Sequence, residues 1–145
     1  MELSTFGAVM RFAIDLERAA ADFYTAAAQS VASQPVKDAF TALAEESRRR
    51  ATMLERTRQE KVTEMILEPI HGLRQEDYLP QNMDAGSASG EGLVSQAMEM
   101  ETKAARFYTD ALEAGRRLLG EVARTFERLA REKADRRARL QVLKE

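Results

Sequence analysis

A chain of 145 residues has the length of one ordinary domain, long enough to bury a core without disulfide or metal staples. Its 22 basic and 24 acidic residues leave a net charge of −2, so no global charge draws it to nucleic acid or to an anionic membrane surface. The absence of Cys excludes disulfides, thiolate nucleophiles and Cys-ligated zinc or iron–sulfur centres within the chain.

Ala, Leu, Glu and Arg dominate, Trp is absent and only three Pro occur, a composition that points to helices. Glu2 stands where a signal peptide would carry basic residues, and Arg11, Asp15, Glu17 and Arg18 interrupt any apolar run; the expected compartment is the cytoplasm. The first helix is expected over about 5–32, with Val9, Ala13, Ala20, Tyr24, Ala27 and Val31 three and four apart on one face and Ser4 as its cap. Ser33, Gln34 and Pro35 mark a stop and a restart, because Pro is tolerated in a first turn and Ser caps well. The second helix follows over about 35–60, with Val36, Phe40, Leu43, Ala51 and Leu54 inward.

From 61 to 91 the helical period is lost, Pro69, Pro80 and the single His71 appear, and Gly86 to Gly90 forms a small-residue tract. This reads as a crossover. The third helix is expected over about 92–114, ended by Gly115, and the fourth over about 120–143. Spanning a bundle of about 25-residue helices means covering roughly 37 Å at 1.5 Å per residue, within reach of such a crossover. Short links elsewhere and one long crossover give a single all-α domain over 1–145, a four-helix bundle of two antiparallel hairpins.

The two hairpins repeat one another. Shifted by 84, residues 13–28 lie over 97–112 and match Ala13 with Ala97, Glu17 with Glu101, Phe23 with Phe107 and Tyr24 with Tyr108. Shifted by 86, the second helix lies over the fourth and matches Phe40 with Phe126, Leu43 with Leu129, Glu46 with Glu132, Arg50 with Arg136 and Leu54 with Leu140. Glu17 and Tyr24, like Glu101 and Tyr108, stand seven residues apart on one helix face. Both carboxylates fall within an apolar stripe, where an ionised group is costly unless a cation or metal partners it.

In helix order, crossover, repeat and doubled Glu-and-Tyr pattern, the chain resembles the rubrerythrin-like branch of the ferritin-like superfamily over nearly its whole length. The resemblance implies a di-iron site to which the first and third helices each give a Glu, here Glu17 and Glu101, with Tyr24 and Tyr108 flanking. It also implies Glu-x-x-His on the second and fourth helices, where the repeat frame places Ser47 with Arg50 and Lys133 with Arg136. None of those four is a plausible iron ligand. Moving back one residue supplies Glu46 and Glu132, but a 100° rotation is expected to take them off the inner face.

The expected site is therefore a set of remnant metal-site positions, Glu17, Glu101, Tyr24, Tyr108, Ser47, Arg50, Lys133 and Arg136, with no catalytic residue and no cofactor. Two carboxylates face three cations, and at least two of Arg50, Lys133 and Arg136 are expected within salt-bridge reach of Glu17 and Glu101. The formal excess of +1 invites a small anion into the old metal cavity. If metal is present, Glu17, Glu101, Glu46 and Glu132 are its expected ligands. The expected role is a non-enzymatic binding or scaffolding protein; the alternative is a di-iron oxidase, peroxidase or iron-handling protein with an unconventional ligand set.

A homodimer is expected, with Ile70 and Tyr78 contributing apolar crossover surface. Neither nucleic acid nor membrane is an expected partner, because Glu45, Glu46, Glu132 and Asp135 interleave the basic runs 48–50 and 131–139. His71, with no second His, reads as a loop residue, and Met98 and Met100 as core filler or interface.

Overall fold

The computed structural model describes residues 2–3, 5–60, 72–79, 90–120 and 122–144, without the side chains of 116–119 and 144. Four helices make up the fold: α1 (Phe6–Ser30), α2 (Gln34–Glu60), α3 (Gly90–Leu119) and α4 (Val122–Lys144). α1 is capped by Thr5, whose Oγ1 accepts from the Ala8 amide at 3.0 Å, one residue beyond the expected Ser4, which lies outside the described residues. Val31 turns extended, and α2 restarts with Pro35 in its first turn. Gly115 bends α3 where the sequence ends a helix, and the chain stays helical beyond it to Leu119. Gly120 adopts φ +55°, the left-handed geometry that suits glycine in this tight link, so α4 begins two residues past its expected start.

Arg18 meets Glu55 and Thr25 meets Arg48, so α1 and α2 run antiparallel. Tyr108 packs on Phe126 while Arg136 reaches Glu101, which makes α3 and α4 antiparallel too. α1 is antiparallel to α3, with Tyr24 opposite Glu101 and Glu17 opposite Tyr108. It follows that α2 and α3 are parallel, joined through residues 61–89; Pro69, Ile70, His71 and Pro80 of that stretch lie outside the described residues.

Within the crossover, residues 72–79 lie along α3. Arg106 donates to the Asp77 carbonyl and sits 5.5 Å over the Tyr78 ring, and the Tyr78 hydroxyl donates to Asp110. The Leu3 amide donates to the Leu73 carbonyl. Tyr78 is 2 % exposed and packs on Phe12 and Phe107, so the apolar surface expected from it is covered by its own chain.

The apolar core falls into two clusters. One gathers Phe12, Leu54, Phe107 and Phe126, the other Tyr24, Phe40, Leu93 and Leu140; Met98 and Met100 belong to the second. Between them lies a layer of buried polar residues, Glu17, Ser47, Glu101, Lys133 and Arg136.

Candidate functional site

Each residue of this layer is placed inward by its helix. Leu43, Leu54, Leu129 and Leu140 are buried, and Ser47, Lys133 and Arg136 share their stripe on α2 and α4. Glu17 is flanked by Ala13 and Ala20, Glu101 by Ala97 and Ala104, all buried. Leaving such groups unpartnered would be severe, so their partners decide what the site is.

Glu17 is held on both oxygens. Lys133 Nζ donates to Oε1 at 2.7 Å and the Tyr108 hydroxyl donates to Oε2 at 2.8 Å. Glu101 is held on one: Tyr24 donates to Oε1 at 2.9 Å, and Arg136 Nη1 donates to the same atom at 3.2 Å. Oε2 of Glu101 accepts no hydrogen bond within the described residues. Each phenol thus serves the carboxylate of the other hairpin, a reciprocal arrangement that follows the repeat. Burial, and then the adjoining carboxylate, push both tyrosines well above the ordinary phenol value.

Around this centre runs a second reciprocal pair. Arg50 grips Glu132 with Nε and Nη2, at 2.7 Å in the shortest contact, and Arg136 Nη2 lies 3.2 Å from Glu46. Arg136 also donates to Ser47 Oγ at 3.0 Å and lies 3.7 Å from Glu132. Burial works against the Arg136 charge, but Glu101, Glu17 and Glu46 outweigh it and hold its proton more firmly than usual. Burial would likewise raise Glu132; Arg50, Lys133 and Arg136 prevail and lower it.

Lys133 and Arg136 reach Glu17 and Glu101, two of the three cations as expected, but two other placements need correction. Arg50 does not join Glu17 or Glu101: its side chain stays 29 % exposed because Glu132 captures the guanidinium at the rim. Glu46 and Glu132 do not leave the site either, since their side chains, 19 % and 15 % exposed, bend back to Arg136. A carboxylate on two methylenes is not confined to the direction of its Cβ. The repeat had matched Glu46 with Glu132, the one signal that they act as a pair; nothing in the sequence indicated that Tyr78 would wall the site.

With Glu46 and Glu132 included, the charge account changes. Glu17 and Glu101 are met by Lys133 and Arg136, and Glu46 and Glu132 by Arg50 and the exposed Arg139, 3.9 Å from Glu46. The +1 excess that invited an anion is gone. A cavity of about 10 Å3 lies beside the centre, lined by Glu17, Glu101, Lys133, Tyr78 and the small Ala20 and Ala104. Of the basic runs, Arg48, Arg49, Arg131 and Arg137 are exposed, whereas Lys133 and Arg136 point into the core. No helix of the described residues is long and apolar enough to cross a membrane.

Two antiparallel helical hairpins whose first helices each bring a Glu and a Tyr to the middle of one bundle define a ferritin-like domain. The chain belongs to the rubrerythrin family, whose profile matches residues 9–132. No curated protein and no solved structure matches it.

Proposed function

We propose that the di-iron centre implied by this family is dismantled here, its place taken by the chain's own cations, and that the protein is a non-enzymatic binding or scaffolding bundle. The observation that carries the reading is the pairing of Lys133 with Glu17 and of Arg136 with Glu101 at 1 % exposure or less. A di-iron bundle of this kind draws a Glu from each of two helices and Glu-x-x-His from each of the other two. Ammonium and guanidinium groups donate hydrogen bonds and have no lone pair to offer a metal. They also engage one oxygen of Glu17 and one of Glu101, so the residues present do not fit a pair of irons.

A second reading, an oxidase, peroxidase or iron-handling protein, draws on the convergence of Glu46, Glu101 and Glu132 within 3.7 Å of Arg136. With Glu17 these would be its ligands, and it requires Lys133 and Arg136 to leave. Ferrous iron and hydrogen peroxide, added separately to the aerobic protein, separate the two readings. Consumption of both at the rate of buffer alone is expected; turnover of either above that rate, abolished by Glu17→Ala, favours the second.

The proposal includes self-association as a homodimer in the cytoplasm. Among the described residues, Leu79 and Val142 are the large apolar side chains left exposed for such a contact. Light scattering at tens of micromolar is expected to give the mass of two chains, and a monomer would remove this part.

A further inference from the structure

The repeat accounts for the one unsatisfied oxygen of the centre. Glu17 and Glu101 are equivalent, as are Tyr24 and Tyr108, but Lys133, the second donor to Glu17, has the short Ser47 as its counterpart. Ser47 donates nothing to Glu101; its Oγ accepts from Arg136 instead. Glu101 Oε2 is left buried with no donor from the described residues, a costly state for a carboxylate oxygen.

Glu101 is also one of the residues that line the cavity. Three repeat-related pairs line it, Leu16 with Met100, Glu17 with Glu101 and Ala20 with Ala104, so it sits where the two hairpins meet. Tyr78 and Lys133 complete the wall. The Lys133 ammonium has three N–H groups. Glu17 takes one, while Glu132 at 4.0 Å is too far for a hydrogen bond.

Size and charge then define the guest. About 10 Å3 is the room needed for roughly one water and little else. Glu17 and Glu101 are already balanced by Lys133 and Arg136, so neither a cation nor an anion is called for. The guest must donate to a carboxylate oxygen and accept from an ammonium.

Resting on the reading that protein cations fill the centre, we infer that this cavity is a binding site for a single water, donating to Glu101 Oε2 and accepting from Lys133 Nζ. The water takes over the task that Ser47 is too short to perform. It closes a continuous chain of hydrogen bonds from Tyr108 through Glu17, Lys133, the water and Glu101 to Tyr24.

A crystal structure of the full chain near 1.5 Å resolution, with data also collected at the iron edge, tests this. One density peak at about 2.6–3.2 Å from both Glu101 Oε2 and Lys133 Nζ, without anomalous signal, is expected. No peak there, or Lys133 in direct contact with Glu101 Oε2, overturns the water site and leaves the proposed function standing. A peak with iron signal between Glu17 and Glu101 overturns both.

Discussion

The two ends of the buried layer occupy equivalent positions of the repeat and differ in how they are satisfied. At Glu17 the protein supplies a donor to each oxygen, Lys133 and Tyr108. At Glu101, Tyr24 and Arg136 crowd onto Oε1 and none of the described residues reaches Oε2. The cause is the change from Lys133 to its shorter counterpart Ser47, which leaves Arg136 room to enter fully while its own counterpart, Arg50, stays at the rim with Glu132. The carboxylate and phenol frame follows the symmetry of the repeat, and the cations, which set the chemistry, do not.

Breaking the better-satisfied end should produce the largest effect. Glu17→Leu or Lys133→Met alone strands a buried charge and is expected to cost about 3–5 kcal/mol in a urea melt, whereas the double variant should lie close to the parent or above it. Additive losses in the double variant would show that the two groups are not coupled. The phenols sharpen the contrast. Tyr108→Phe leaves Glu17 Oε2 without its donor and should cost about 1–3 kcal/mol, while Tyr24→Phe should cost less, because Arg136 remains on the same oxygen. Equal losses would erase the proposed difference between the ends.

Raising the pH tests both ends together. Tyr24, Tyr78 and Tyr108, all the tyrosines of the chain, are pushed above the ordinary value of 10 chiefly by burial. A raised folded-state value gives stability that is present below pH 10 and lost as pH climbs toward the folded value, at up to about 1.4 kcal/mol per pH unit for each phenol. Phenolate absorbance should therefore stay flat through pH 10 and rise in one step with unfolding; a phenol titrating near 10 in the folded protein would contradict its burial. The smallest effect belongs outside the layer. Arg18→Ala removes the exposed 3.4 Å contact to Glu55 and should change stability by less than about 1 kcal/mol.

Much of this was legible in the sequence, for physical reasons. The apolar spacing of Val9, Ala13, Ala20 and Tyr24 leaves one way for α1 to face a core, and the repeat singled out Glu17 and Glu101 because an isolated inward Glu is weak evidence and a duplicated one is not. Lys133 and Arg136 followed from their register with Leu129 and Leu140. Arg50 shares that register on α2 yet ends at the rim, because the head of a long side chain goes where its partner is. Glu46 and Glu132 turned back to Arg136 for the same reason. The choice of Thr5 over Ser4 as cap is the one-residue ambiguity common at helix ends, and the bend at Gly115 shows a glycine interrupting a helix without ending it.

Elemental analysis of protein incubated with excess ferrous iron and then exhaustively dialysed without chelator tests the replacement of metal by protein cations most directly. No stoichiometric iron, manganese or zinc is expected, with the same result for the parent and Glu17→Ala. Two tightly held metal ions per chain in the parent, lost in Glu17→Ala, would mean that Lys133 and Arg136 yield their places and that the centre is a metal site after all.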